Sequence, residues 1–141
     1  MQNILVTLYM FDSQYSTYRH IRNKPILFTT ILWLGSSFFR PELTSSLYGL
    51  SDTIISRCIT SGSHDLALAQ ALLITVIWSK PADKSTGIKI AVVKGIMWEL
   101  RVDEDFKQSL PTDINLARAK LDRERTLVSK YCVVCTSSLS C

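Results

Sequence analysis

The stretch HDLALAQALLITVIWSK, residues 64–80, decides the fold of this chain. Apolar residues occupy nearly every side of a helix from Leu66 to Trp78. A helix that is apolar all round is normally buried at the centre of a bundle. Gln70 is the polar residue in its interior, and we expect it to hydrogen-bond to a neighbouring helix rather than take part in catalysis. The stretch therefore predicts a bundle built around residues 66–78.

Proline and glycine residues divide the preceding part of the chain into further helices. Pro25 suits the first turn of a helix that runs to about Phe39. A second helix is predicted from about residue 42 or 44 to residue 60, with its end at Gly62. Its apolar residues form one stripe at three- and four-residue spacing, which we expect to face the core: Leu43, Leu47, Leu50, Ile54 and Cys58.

Two more helices are predicted after the central stretch. In residues 85–100, four apolar or small residues lie near one line and would let two helices approach closely: Ile88, Ala91, Val92 and Gly95. The segment IKIAVV within it alternates like a β-strand, but its surroundings favour a helix. A last helix should begin with Asp113 as its N-cap and continue to about Val128. Its charges are spaced to pair across one turn, Arg118 with Asp122 and Lys120 with Glu124.

These blocks together predict an all-α fold, an irregular bundle of about five helices that forms an incomplete domain. We divide the chain into an irregular N-terminal segment (residues 1–24), a helical domain (residues 25–128) and a Ser- and Cys-rich tail (residues 129–141). No internal repeat of the length found in helical solenoids is present.

Composition and charge narrow the class of protein. Apolar residues make up 47% of the 141 residues and charged residues 20%, as in a globular domain. The net charge of +4 comes from lysines and arginines scattered along the chain, so we expect no direct DNA contact. The start lacks the basic region and cleavage pattern of a secretory signal. The apolar residues 25–39 are too few to cross a bilayer, and a buried helix is the better interpretation of them than a membrane segment.

The residues whose side chains could bind a metal or react do not combine into a site. Cys132 and Cys135 form a C-x-x-C pair, but with Cys141 they give only three zinc ligands, and Cys58 lies far upstream. A thioredoxin-like dithiol would need a strand before it. The acidic residues 103–105 are consecutive and are better explained as a solvated loop than as a metal site. We therefore assign no catalytic, cofactor-binding or metal residue and expect a protein that is not an enzyme.

Four segments carry a family resemblance, in order: KPILFTTILWLGSSFFRPEL (24–43), HDLALAQALL (64–73), WSKPADKSTGIKIAVVKGIMWELRVD (78–103) and LDRERTLV (121–128). They resemble the regulatory middle homology domain of fungal binuclear zinc cluster transcription factors. The closest matches are residues 27–29, 70–73, 78–81 and 123–126. The resemblance implies that residues 25–128 are part of such a regulatory domain, nuclear and without catalytic activity.

Departures from the family also matter. No six-cysteine DNA-binding cluster precedes Cys58, Gly87 stands where an aromatic residue is common, and Leu127 stands where the family favours Trp. The hydrophobic pattern of the family stops near Ser129, and we expect the coding frame to depart from the family there. A truncated domain should expose apolar helix faces, through which protein partners or self-association are expected. The alternatives are a helical protein-interaction or membrane-associated protein and, more remotely, a zinc or redox protein that uses the C-terminal cysteines.

Overall fold

The fold is all-α, as predicted, in a computed structural model that describes residues 2–11, 14, 16–80 and 82–138. The described residues form eight α-helices and a short 3-10 turn, Pro41–Leu43, and contain no strand. The helices are α1 (Gln2–Met10), α2 (Tyr18–Arg22), α3 (Pro25–Phe39), α4 (Thr44–Ser61), α5 (Leu66–Ile77), α6 (Thr86–Glu99), α7 (Val102–Asp105) and α8 (Ile114–Ser138). The five predicted helices are α3, α4, α5, α6 and α8, so the count of five was low because the short α1, α2 and α7 were missed.

Helix α5 is the centre of the bundle. The Asp65 side chain caps its start by accepting a hydrogen bond from the Leu68 amide at 2.9 Å. Every residue from Ala67 to Val76 is buried. Helices α1, α3, α4, α6 and α8 all pack against α5. The chain therefore covers its own all-round apolar helix, and the exposed apolar surface expected of a truncated domain does not lie there.

Helices α3 and α4 form the hairpin that covers one side of α5. Helix α3 begins at Pro25 and ends at Phe39, as predicted, and α4 ends where Gly62 adopts a left-handed conformation with φ of 73°. The predicted core stripe of α4 is only partly right. Leu43 and Leu50 are exposed, whereas Ser51 and Ile55 are fully buried. The Thr30 and Ser51 hydroxyls hydrogen-bond at 2.8 Å between the two helices, so a polar contact helps to decide which face of α4 turns inward.

Helix α6 confirms the choice of helix over strand for residues 88–93. The line of small and apolar residues predicted to contact another helix is wrong, because Ile88, Ala91 and Gly95 are exposed and Val92 is only partly buried. The fully buried residues of α6 are Val93, Ile96 and Met97. Val93, Ile96 and Met97 are three and four residues apart and so share one face of the helix, which is the face that turns inward.

The N-terminal segment was predicted to be irregular, and that prediction is wrong. Residues 2–10 form helix α1, and residues 18–22 form helix α2, which Thr17 caps. Met10 at the end of α1 is buried in the core, and α1 packs against both α5 and α8. A nine-residue helix is marginal by itself, so these tertiary contacts stabilise it.

The last helix, α8, begins as predicted and ends later. The Asp113 carboxylate accepts hydrogen bonds from the Asn115 and Leu116 amides, which is the geometry of an N-cap. The Lys120–Glu124 pair is present. The predicted Arg118–Asp122 pair is not formed, because Arg118 donates to the Gln14 side chain and Asp122 is buried against α5.

The tail boundary placed at residue 129 lies within α8, which continues to Ser138. Ser129, Lys130 and Val133 are buried, so the first part of the tail packs against the rest of the domain. No change of secondary structure marks the boundary. The departure of the coding frame near Ser129 stays a prediction, and residues 139–141 lie outside the described residues.

Candidate functional site

An open cleft of about 710 Å³ lies between the α3–α4 hairpin and the C-terminal end of α5. We call it the Trp33–Trp78 cleft. Its aromatic side chains are Trp33 from α3, Tyr48 from α4 and Trp78 just after α5. The turn after Trp78 closes one side with Ser79, Lys80, Ala82 and Asp83. The volume falls in the range of small-molecule sites, which are usually apolar with a few polar groups.

The aromatic side chains of the cleft are held in place by contacts with neighbouring side chains and with each other. The Trp78 indole N–H donates to the Thr7 hydroxyl of α1 at 3.1 Å. The Phe38 ring meets the Trp78 ring edge to face, with centroids 5.6 Å apart. The Trp33 and Tyr48 rings pack against each other at 5.3 Å. Aromatic pairs of this kind restrict ring rotation, so the cleft is largely formed before anything binds.

Three of the hydroxyl groups that line the cleft donate to backbone carbonyls. Thr75 donates to the Leu72 carbonyl at 2.7 Å, and Ser79 donates to the Val76 carbonyl at 2.8 Å. Ser37 donates to the Trp33 carbonyl at 3.4 Å. A hydroxyl that already donates to its own helix has no proton left for a ligand. The side of the cleft formed by Ser37, Thr75 and Ser79 therefore offers mainly apolar contact.

The two charged side chains of the cleft differ in their partners. Asp83 accepts hydrogen bonds from the Ser85 amide and hydroxyl and forms an ion pair with Lys89 at 3.1 Å. These contacts lower the pKa of Asp83 to about 2, the Ser85 hydrogen bonds being the main cause, so its charge is present and balanced at neutral pH. Lys80 is exposed and forms no ion pair with any residue that the structure describes. The cleft thus carries an unbalanced positive charge at one edge.

Gln70 makes the interhelical contact that the sequence predicted. Its side-chain amide, 1% exposed, donates to Asp122 Oδ2 at 3.2 Å and to the Thr126 hydroxyl at 3.1 Å, which joins α5 to α8. Burial raises the pKa of Asp122, and the Gln70 hydrogen bond opposes that rise. The other oxygen, Asp122 Oδ1, has no hydrogen-bond partner among the described residues. This cluster is buried and structural, and it lies within the packing of α5 against α8.

The remaining candidates from the sequence do not converge. Cys132 and Cys135 are exposed free thiols on α8, Cys58 is a free thiol on α4, and Cys141 lies outside the described residues. Residues 103–105 belong to the one-turn helix α7 rather than to a loop. In the part of the chain that the structure describes, no three His, Cys, Asp or Glu side chains come together as metal ligands would. No described helix is both long and apolar enough to cross a membrane.

His64 pairs with a carboxylate of another helix. Its Nδ1 lies 2.9 Å from Glu99 Oε2, which links the α4–α5 loop to the end of α6. That hydrogen bond raises the pKa of His64. No nucleophilic side chain of the described residues hydrogen-bonds to this ring, so the geometry matches a surface ion pair.

Comparison with known proteins adds no relative: no family model, no curated protein and no solved structure matches the chain.

The sequence singles out residues 78–81 as a motif but does not place Trp33 or Tyr48 in a site. The available signal was that Trp78 lies at the end of one predicted core helix and Trp33 in the middle of another. Aromatic residues at such positions are common in cores, so that signal could not separate a cleft from ordinary packing.

Proposed function

We propose that the chain is a helical regulatory domain of a fungal transcription regulator, of the kind found in binuclear zinc cluster factors, and that it acts in the nucleus without catalysis. Sequence-specific DNA binding would belong to a zinc cluster module that is not among these residues. The domain would act through contacts with other proteins.

One observation carries the proposal beyond the order of its motifs. Two of the matched segments are Gln-Ala-Leu-Leu (residues 70–73) and Arg-Glu-Arg-Thr (residues 123–126). Gln70, the first residue of the former, hydrogen-bonds to Thr126, the last residue of the latter, at 3.1 Å. The two motifs are far apart in the chain, and their polar residues meet in the interior. A polar pair buried between two helices fixes how those helices pack. This contact supports a shared structural reason for both motifs, which chance similarity of apolar helices would not provide.

Exposed apolar residues support protein contacts as the mode of action. Helix α1 presents four of them on one side: Ile4, Leu5, Leu8 and Tyr9. The positions i, i+1, i+4 and i+5 lie together on a helix, so these side chains form a patch rather than scattered exposures. Such patches commonly mark protein interaction sites.

A tethering experiment tests the proposal. The chain is fused to a heterologous DNA-binding domain that carries its own activation domain, and reporter expression is measured in a fungal cell. We expect the fusion to change reporter expression relative to a fusion with an unrelated helical domain at equal protein level. Leu5→Glu combined with Leu8→Glu should weaken the effect while far-UV circular dichroism of the purified variant stays unchanged. Equal expression from both fusions would refute the proposal.

A further inference from the structure

We propose that the Trp33–Trp78 cleft binds a small planar aromatic carboxylate. The ring system of the ligand would stack among the tryptophans, and its carboxylate would lie at Lys80. The inference goes beyond the proposed function and does not depend on it, because binding is measured on the isolated chain. It rests on the shape of the cleft, on its aromatic walls and on the charge at its edge.

The aromatic walls favour a flat, apolar ligand. Trp33, Tyr48 and Trp78 come from three separate segments and line the same cleft. Trp78 is fixed by Thr7 on one side and Phe38 on the other, so its ring does not need to be ordered on binding. Because preorganised side chains do not have to be ordered when a ligand binds, the entropy cost of binding is smaller. The neighbouring hydroxyls of Ser37, Thr75 and Ser79 already donate to backbone carbonyls, so these three side chains supply no proton to a polar ligand.

The charges of the cleft favour an anion over a cation. Aromatic rings also attract cations, and Asp83 on the lining would add to that attraction if its charge were free. Asp83 is already balanced by Lys89 at 3.1 Å and by two hydrogen bonds from Ser85. Lys80 lacks such a partner among the described residues, and its ammonium group can therefore serve a ligand carboxylate. The site thus combines apolar faces with one positive group at the rim.

The test is a titration of the full chain with 2-naphthoate, followed by calorimetry and by the indole N–H signals of the three tryptophans. We expect a dissociation constant on the order of 0.1 mM, typical of a small ligand in a half-open cleft. The signals of Trp33 and Trp78 should shift on titration. The Trp98 signal should stay, since Trp98 is 78% exposed on α6 and does not line the cleft. Naphthalene-2-carboxamide, which has the same rings and no charge, should bind about threefold to fivefold more weakly, the size of an exposed charge contact.

Two matched pairs of variants locate the binding site. Lys80→Gln should weaken 2-naphthoate binding about threefold to fivefold, whereas Lys84→Gln, which changes an exposed lysine outside the cleft lining, should not. Tyr48→Leu should weaken it by about threefold or more through loss of the ring contact, whereas Tyr131→Leu should not. All four side chains are exposed, so the variants should keep the parent circular dichroism and melting temperature.

Three results would overturn the inference. The first is the absence of saturable binding of 2-naphthoate at millimolar concentration. The second is equal or tighter binding of the carboxamide or of 2-naphthylmethylammonium, since the cleft would then not select an anion. The third is an equal effect of Lys80→Gln and Lys84→Gln, which would reduce the charge preference to the overall charge of the protein. Each of these results leaves the reporter test of the proposed function unaffected.

Discussion

Replacing Gln70 with leucine should destabilise the domain strongly, although leucine is apolar and of similar size. The substitution removes a hydrogen bond to a buried carboxylate, worth about 1.5–3 kcal/mol, and one to the Thr126 hydroxyl, worth about 0.5–1.5 kcal/mol. The added apolar contact offsets about 1 kcal/mol of this loss. We therefore expect the free energy of unfolding to fall by about 1–3.5 kcal/mol, a large share of the roughly 5–15 kcal/mol of a typical domain.

Urea unfolding followed by circular dichroism at neutral pH measures this loss. With a denaturant slope of about 2 kcal/mol per molar, the midpoint should fall by roughly 0.5–1.75 M. Gln108→Leu is the matched control, because Gln108 is exposed and the same change there should stay within about 0.5 kcal/mol. In an Asp122→Asn background, Gln70→Leu should cost only about 1 kcal/mol, since no buried charge is then left without its donor.

The pH dependence gives the sharper check of the same reasoning. Burial raises the folded-state pKa of Asp122, so its protonated form stabilises the fold fully below the unfolded pKa of about 3.9. That stabilisation is lost as pH rises through the folded pKa. Because the Gln70 hydrogen bond opposes the rise in pKa, Gln70→Leu should cost more at pH 7 than at pH 4. An equal cost at both pH values, or a loss below about 0.5 kcal/mol at pH 7, would refute the account of this contact.

Two further predictions concern single positions. The pKa of His64 is raised by its hydrogen bond with Glu99, so the pair stabilises the fold below the unfolded pKa of about 6.5 and this effect is lost as pH rises through the folded pKa. The melting temperature should therefore fall slightly from pH 6 to pH 8, and Glu99→Gln should flatten that change; a parent-like slope in this variant would contradict it. Gly62→Ala should cost about 1 kcal/mol in urea unfolding because φ is 73° there, whereas Gly35→Ala, inside α3 with no atom within 4 Å of an added Cβ, should stabilise the protein by about 0.5–1 kcal/mol. Equal effects of the two substitutions would show that the left-handed conformation of Gly62 is not the cause.

Local signals in the sequence predicted three helix ends well, the starts of α3 and α8 and the end of α4. Pro25, Gly62 and Asp113 each act through their own backbone or through neighbours within three residues, so the ends they set do not depend on the rest of the fold. The burial of α5 was also predictable, because a helix apolar on every side must be covered wherever it lies.

Which face of a helix turns inward was harder to predict. In α4 the inward face includes Ser51, whose hydroxyl hydrogen-bonds to that of Thr30 in α3. A prediction from the spacing of apolar residues alone therefore placed the inward face wrongly. In α6 the predicted contact line of Ile88, Ala91 and Gly95 is exposed. The helices packed against a helix determine which of its faces is buried, and its own sequence does not specify them. Helix α1 was missed because its stability comes from packing against α5 and α8 rather than from its own sequence.

The candidate site followed even less from the sequence. The Trp33–Trp78 cleft is built from α3, α4 and the turn after α5, and no spacing rule joins segments so far apart. Lys80 is one of sixteen basic residues, and only the structure shows that it lies at the edge of an aromatic cleft. Gln70 could be predicted as a hydrogen-bonded core residue, but its partners on α8 could not, because they depend on how the two helices pack.

The most direct test of the proposed function is the sequence of the genomic DNA on both sides of the region that encodes this chain. The proposal predicts an upstream reading frame that encodes the six closely spaced cysteines of a binuclear zinc cluster. It also predicts a spliced downstream frame that continues the helical domain past residue 128. The absence of any six-cysteine cluster upstream, together with no family-like continuation in any downstream frame, would contradict it.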